Sequence, residues 1–548
     1  MSNKNLKQTE NKQAAPCLND VVDQEANTPA SRTSRTALAT KNAAFGLAGQ
    51  AINLLMAFAS RTVFIYLLGE YYLGVNYLFV DILNVLSFAE LGFGSAMTFA
   101  LYSPVAKGQN EKVQQLIYFY RNAYRVIALI VLLFGLALLP FLQYLVSDAG
   151  SITLSELRLY FLIFLANTVI SYFVTYKFGL LNALQKTYVQ TNFGTITTIG
   201  CALAQIVALV LTQSFLVYLL ANFVVLTVSR FALARYLNAR YPVLKNKPEQ
   251  LLPKNEKRRI LHEVKGLAVH QFSGVAVHAT DSIIIAVIPT LGIVLVGAVG
   301  NYNMIITTIQ GIVLVVVNSV VAGFGNLAAL ESKQKFREVF DEANFIGFWV
   351  FGLCAVCFFV LLPPFIKLWI GETYLVDAAS FTLILVNFYL QGQSVVYSNA
   401  RIAKGNFNKD KWWSLLQAII NLVVSVVCAL QFGLVGVFVG TVVSRLVFVI
   451  SRPCSTYRFL FGCSPWQYFA DIVKYCLFVV LAAVVSVGAT SIFLETLSIA
   501  NFCLATVICF VITNVVFFAC TFKSSVFQTV KKRVFSLVKP LLERGDRS

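Results

Sequence analysis

The run Asn344-Phe-Ile-Gly-Phe-Trp-Val-Phe-Gly-Leu-Cys-Ala-Val-Cys-Phe-Phe-Val-Leu-Leu-Pro-Pro-Phe-Ile-Lys-Leu-Trp369 contains 26 residues and a single charge, Lys367. Roughly 20 helical residues cross a hydrocarbon core about 30 Å thick, and a barrel strand needs about half as many, so a run of this length reads as a transmembrane helix. Thirteen further apolar runs, bounded by charges or by Gly, Pro and Asn turns, read the same way. They lie near 43–68, 73–102, 119–145, 155–181, 188–212, 214–236, 264–289, 293–328, 375–399, 412–431, 434–456, 467–491 and 497–522. The predicted fold is an all-α polytopic membrane protein of about fourteen transmembrane helices.

Composition supports that reading. Of 548 residues, 58% are hydrophobic and 12% are charged, and the mean hydropathy is +0.74. Soluble domains carry about 25% charge, so 43 basic and 25 acidic side chains are too few to make a water-facing surface for so long a chain. Ordinary soluble enzymes, disordered chains and disulfide scaffolds are excluded.

Taken alternately, the loops separate by charge. One set holds Lys107, Lys112, Lys177, Lys186, Lys245, Lys247, Arg258, Lys333, Arg337, Arg401, Lys404, Arg452 and both termini; the other offers only Arg158 and Lys367 against six carboxylates. The positive-inside rule then puts both termini in the cytoplasm of a multi-pass cell-membrane protein. The +18 net charge follows from this bias, with a surplus for anionic membrane lipids, and needs no nucleic acid.

Residues 1–40 are polar and read as a disordered cytoplasmic tail. The stretch 523–548 spaces Phe527, Val530, Val534, Val538 and Leu541 as one face of a basic amphipathic helix, the pattern of an interfacial anchor. Six of the eleven cysteines lie inside apolar runs, where a thiol is a small apolar filler. His262, His270 and His278 drift by about 80° at each eight-residue step and do not converge on a metal. No phosphate-binding Gly loop or nucleophile elbow interrupts the runs, so transport, if this is a transporter, is secondary, with no cofactor and with a proton or sodium gradient as the available drive.

Gly46-Leu-Ala48 opens the first run and Gly266-Leu-Ala268 the seventh; Val75-Asn-Tyr77 and Gly300-Asn-Tyr302 repeat in the second and eighth. These suggest two six-helix lobes, 41–236 and 264–458, joined by a basic linker 237–263 and followed by two added helices within 459–522.

The stretches Arg61-Thr-Val-Phe-Ile-Tyr-Leu-Leu-Gly-Glu-Tyr-Tyr-Leu-Gly74, Leu86-Ser-Phe-Ala-Glu-Leu-Gly-Phe-Gly-Ser-Ala96, Phe365-Ile-Lys-Leu-Trp-Ile-Gly-Glu372 and Ala418-Ile-Ile-Asn-Leu-Val-Val-Ser425 resemble the bacterial polysaccharide and oligosaccharide flippases of Gram-positive type, a branch of the multidrug/oligosaccharidyl-lipid/polysaccharide exporter superfamily. The resemblance covers about 45–470. It implies alternating access between two lobes and a substrate of undecaprenyl-diphosphate bearing a glycan repeat unit, moved from the inner to the outer leaflet for capsule, exopolysaccharide or cell-wall synthesis. A polysaccharide polymerase is a partner such a pathway would supply.

The residues themselves point to a polar interior. Asn167, Ser171 and Thr175 form one stripe, Asn303, Thr307, Gln310 and Asn318 a second, and Asn387, Gln391, Ser394 and Ser398 a third. Such stripes serve either interhelical hydrogen bonds or a hydrated, sugar-compatible cavity, where Tyr389 and Tyr397 would offer rings. Arg445 sits near mid-membrane with no acid in its own run: it either meets a diphosphate bidentately or snorkels. Lys177, Arg230 and Arg401, nearer the basic ends, suit an entrance for an anionic head, with Arg61 as a further substrate-binding cation. The competing class, a multidrug and toxin extrusion antiporter, moves mainly organic cations and would want a carboxylate-lined cavity.

Asp81, Glu90, His278 and Asp281 are the candidates for coupling or gating. With the first turn placed near Tyr71, Arg61 and Asp81 reach equal depth, and Asp281 is the repeat counterpart of Arg61 at an offset of 220. Two ion pairs compete: a hairpin bridge Arg61–Asp81, and an inter-lobe bridge Arg61–Asp281 that closes an outer gate until a proton, relayed by His278, releases it.

Overall fold

The computed structural model describes residues 31–533 and 535, apart from 91, 147–149, 151, 322–323, 325–330 and 404–410. Among the described residues there are seventeen α-helices up to Thr521, a further helical stretch at 525–533 and no strand. In chain order they are α1 (Ser31–Leu68), α2 (Glu70–Leu86), α3 (Phe93–Ala106), α4 (Asn110–Leu138), α5 (Leu142–Leu145), α6 (Leu154–Thr175), α7 (Phe178–Ala183), α8 (Thr187–Thr212), α9 (Phe215–Arg240), α10 (Lys254–Val287), α11 (Gly292–Val321), α12 (Lys333–Ile370), α13 (Ala378–Ala403), α14 (Lys411–Phe432), α15 (Leu434–Thr456), α16 (Trp466–Glu495) and α17 (Ile499–Thr521).

Eleven of these segments are long and apolar enough to cross a membrane, each matching one of the fourteen apolar runs. The other three runs are helical as well: one is broken into two short helices, and two carry polar groups along them. The second is broken into α2 and α3 by a 3₁₀ turn over Ser87–Glu90 and by buried Gly92 at φ 86°, a conformation cheap only for glycine. The seventh is α10, which carries Thr280 and Asp281, and the tenth is α13, with its stripe of Asn, Gln and Ser. All three pack into protein: α2 on α11 and α10, α3 on α10, and α13 on α12 and α15. A helix surrounded by other helices need not be apolar all round.

Helix packing in the second half repeats that of the first. In the first, α1 lies on α8, α8 on α9, α6 on α9 and α4 on α6; in the second, α10 lies on α14, α14 on α15, α13 on α15 and α12 on α13. The seam between the halves is made by α2 against α11 and α10 and by α1 against α11 and α12. It is tight because it is built on glycine: a Cβ on Gly74 would strike the backbone of Ile293, and one on Gly300 the ring of Tyr77. Helices α16 and α17 pack on each other and on α12, where Phe348 stacks on Tyr475 with centroids 4.3 Å apart.

Several boundaries differ from the sequence reading. The chain is already helical from Ser31, so the last ten residues assigned to the tail belong to α1; residues 1–30 lie outside the described residues. The linker is shorter than 237–263, because α9 runs to Arg240 and α10 starts at Lys254, and its Val243, Leu244 and Leu252 are buried rather than solvated. The helical stretch 525–533 docks on protein: Phe527 packs against Trp349 at 6.1 Å, and Arg533 pairs with Glu342 at 2.9 Å. Val534, Val538 and Leu541 of that face lie outside the described residues.

Lys367, one of two cations on the acidic loop set, is neutralised by an ion pair with Glu372 and holds that carboxyl below its ordinary range. A lowered carboxylate contributes above its ordinary value, about 4.3, and loses that contribution as pH falls through the folded value. At the same end of the bundle α6 starts on a capping box: the Thr153 side chain accepts from the Glu156 N–H at 3.3 Å, while the Thr153 N–H donates to Glu156 Oε2 at 2.9 Å. Thr153→Ala is expected to cost about 1 kcal/mol at this helix start, seen as faster hydrogen exchange of amides 154–157 with the rest of α6 unchanged.

Candidate functional site

A cavity of about 320 Å³ lies in the first lobe between α1, α8 and α9, with Met304 of α11 at its edge. Helical spacing builds its walls, since Thr197, Cys201 and Gln205 share one face of α8, and Tyr218, Asn222 and Leu226 one face of α9. Ser60 and Arg61 come from α1. Arg61 is the one charged group in the lining, and no carboxylate joins it among the described residues.

Neither bridge read from the sequence is made. Among the described residues Arg61 has no hydrogen-bond or ion-pair partner; its guanidinium lies over the Tyr77 ring, 4.6 Å from the centroid, and 5.8 Å from that of Phe64. The reason is the turn, which falls at Gly69, φ 81°, and not near Tyr71. Arg61 and Tyr77 then stand eight residues to either side of it, whereas Asp81 stands twelve away, about 6 Å deeper along α2. Asp81 lies instead beside Asn84, at 3.5 Å, and Ser282.

The second lobe carries a polar cluster at the positions that correspond to this cavity. At offsets of 219–220, Arg61, Cys201, Gln205, Asn222 and Leu226 correspond to Asp281, Asn421, Ser425, Thr441 and Arg445. Thr441 Oγ1 donates to the Asp281 carboxylate, lying 3.0 and 2.9 Å from its two oxygens. Asn421 Nδ2 donates to Thr441 Oγ1 at 3.3 Å, and Thr280 Oγ1 to Asn421 Oδ1 at 3.2 Å. Equivalent positions thus hold an open cationic cavity in one lobe and, in the other, a carboxylate held by the Thr441 hydroxyl, which Asn421 and Thr280 bond in turn. The second arrangement suits a proton or a small hard cation. Among the described residues no cluster of His, Cys, Asp and Glu is fit for a transition metal.

One turn beyond Thr441, Arg445 is buried, with Nε donating to Asn387 Oδ1 at 2.9 Å and Nη2 without a hydrogen-bond partner among the described residues. It interacts electrostatically with Asp281. Seven residues further on the same face of α15, Arg452 donates to Ser398 at 3.3 Å and lies over the Phe448 ring at 3.4 Å. Arg401 is buried on α13 and Tyr397 lies near all three guanidiniums. The α13 stripe 387, 391, 394, 398, 401 therefore leads from the basic end of the bundle to Arg445.

Other candidates are placed differently. Tyr389 stands two residues, about 200°, from Asn387 and faces α16, so it is turned away from the stripe. Tyr397 is buried against Tyr468, with centroids 6.3 Å apart. Lys177 is a tie between helices, donating to Asn238 at 2.8 Å and to the Ala234 carbonyl at 3.4 Å. Arg230 is likewise held by Asn167, through Oδ1 at 2.5 Å and the carbonyl at 2.8 Å. Ser171 and Thr175 bond back to their own helix, whereas Asn303 and Thr307 of α11 are exposed. Gln391 is half-buried, its carbonyl accepting from Ser394. Glu90, in the break of the second run, accepts from the Tyr124 hydroxyl at 2.9 Å. The His278 side chain lies outside the described residues. Sequence reasoning missed Tyr77, Thr441 and Asn421, and took Cys201 for filler although it lines a cavity.

With two lobes of repeated packing, a seam of α2 and α11, and two helices appended to the second lobe, the architecture is specific enough to compare. A lipid II flippase MurJ in its inward closed conformation is similar at a TM-score of 0.63 and 13% identity, over 88% of this chain and 98% of that one. The chain has the fold of that flippase. An inward-facing multidrug resistance MATE family transporter of the MOP superfamily matches at 0.57 and 17%, over 75% of this chain and 96% of that one. The MATE multidrug transporter DinF-BH matches at 0.58 and 16%, over 78% and 97%. No family model and no curated protein matches the chain. This is a multi-pass membrane protein with a fold common to a lipid flippase and to multidrug exporters.

Proposed function

We propose that the protein is a secondary transporter that moves an undecaprenyl-diphosphate-linked glycan between leaflets by alternating access, with its basic end in the cytoplasm. The observation that carries this reading is the charge of the first-lobe cavity: Arg61 without a carboxylate. An anionic head is attracted there and an organic cation is repelled, which favours the lipid-linked substrate over the multidrug alternative. Nη2 of Arg445, without a hydrogen-bond partner among the described residues, offers a second donor of the same sign. A second feature supports a lipid-borne substrate. An apolar groove of about 540 Å³ lies between α12, α13 and α16, lined by Phe359, Val386, Tyr389, Val480 and Val484, and its outer residues are exposed toward lipid. The glycan and diphosphate would occupy the polar interior while a prenyl chain lies in such a groove. Asp281, with Thr441 and Asn421, is the proposed ion-coupling site.

The test is reconstitution of the full chain in vesicles with a prenyl-diphosphate-linked saccharide, scored by access of an added lectin, beside a parallel efflux assay with a cationic rhodamine dye. Saccharide translocation is expected, falling at least about tenfold in Arg61→Ala, with no dye efflux. Dye efflux without saccharide translocation would establish the multidrug reading instead.

A further inference from the structure

Arg61, Tyr77 and Gly300 form a stack that runs from the first-lobe cavity into the seam between the lobes. The Arg61 guanidinium borders the cavity and lies 4.6 Å from the centroid of the Tyr77 ring. The same ring fills the notch at Gly300 on α11, where a Cβ would strike it. The Tyr77 hydroxyl is buried without a hydrogen-bond partner among the described residues, so ring packing and the overlying cation are what hold this side chain. Three helices meet here: α1 supplies the cation, α2 the ring, and α11 of the opposite lobe the notch. Four residues before Tyr77, Leu73 is fully buried and packs on Gly297, so the seam is shut at this level.

We propose that this stack reports occupancy of the cavity to the seam, with Tyr77 as the coupling residue; the trigger rests on the anionic substrate proposed above. Phosphate oxygens that take the guanidinium in paired N–H···O bonds neutralise the charge that attracts the ring and draw Arg61 toward the cavity. Tyr77 then loses the cation that holds its ring in the notch, and α2 and α11 part at the end of the bundle where α1 turns into α2. An unloaded transporter keeps that end closed, because only an anion competes with the ring for Arg61.

The experiment uses the full chain in lipid nanodiscs with all native cysteines replaced and Leu73→Cys as reporter, reacted with a bulky impermeant maleimide. Tyr77→Leu and Arg61→Met are each expected to raise the labelling rate roughly tenfold, the double variant no further than either alone, and Tyr77→Phe to stay within about twofold of the reference. Gly300→Ala, which crowds the ring without touching the cavity, is expected to raise labelling as Tyr77→Leu does while leaving diphosphate binding intact. Farnesyl diphosphate is expected to raise labelling of the reference chain and not of Arg61→Met. Labelling unchanged in Tyr77→Leu, or single effects that multiply in the double variant, overturns the coupling. Calorimetry separates the two levels of failure. Farnesyl diphosphate that binds without changing labelling overturns the coupling alone, and a reference chain that does not bind it overturns the anionic reading and the trigger with it.

Discussion

Arg445→Ala is expected to lower translocation of the diphosphate-linked substrate by about a hundredfold while the protein inserts and folds, because a buried, hydrogen-bonded cation facing a phosphate contributes several kcal/mol. The geometry behind this expectation is that Asn387 fixes Nε, leaving Nη2 without a hydrogen-bond partner among the described residues. Arg445→Lys should restore only part of the activity, since an ammonium keeps the charge and loses the planar fork. Asn387→Ala keeps the charge and releases its orientation, and a loss of about tenfold is expected. The competing explanation is charge balance, because Arg445 interacts electrostatically with Asp281. If Asp281→Asn rescues Arg445→Ala in the vesicle assay, charge balance is the whole role of Arg445 and the phosphate contact is wrong.

Asp281→Asn is expected to abolish the acceleration of transport by an imposed proton or sodium gradient, and to leave gradient-independent exchange within about threefold, since even a half-buried acid in a membrane lobe is costly to keep without a function. Asn can still meet Thr441, whose hydroxyl lies 3.0 and 2.9 Å from the two carboxylate oxygens, so the fold is expected to survive. Thr441→Val removes one neutral oxygen beside the carboxylate and should weaken the ion dependence without abolishing it. Gradient-driven acceleration that persists in Asp281→Asn would remove this residue from the coupling path. Sodium and protons are told apart by applying each gradient alone.

The sequence announces its helices better than its contacts. Apolar length is written locally, so eleven runs are found as read; of the other three, one is broken near Gly92 and two carry polar groups among the helices packed on them. The broken second run carries a visible sign, Gly92 and Gly94 after Ser87, which the hydropathy on either side outweighs. Depth along a hairpin is legible only as well as its turn is placed: moving the turn from Tyr71 to Gly69 exchanges Asp81 for Tyr77 as the neighbour of Arg61. The helical wheel alone separates Tyr389 from Asn387. The Thr441–Asn421 bracket around Asp281 could not be read in advance, because it joins α10, α14 and α15 across 160 residues.

The split second run bears on how the protein is made. Its halves, 17 and 14 residues, each fall short of the roughly 20 needed to settle in a bilayer unaided. The α10 and α11 surfaces that embrace them begin at Lys254 and Gly292, well after α3 ends at Ala106. At 5–20 residues per second the ribosome takes on the order of 10–30 s to cover the first of those gaps. For that interval the helix pair lacks its α10 and α11 surfaces, while Tyr124 and Tyr172, the partners of Glu90 and Ser87, arrive earlier with α4 and α6. The second lobe therefore completes the packing of this first-lobe helix pair only once α10 and α11 have been synthesised.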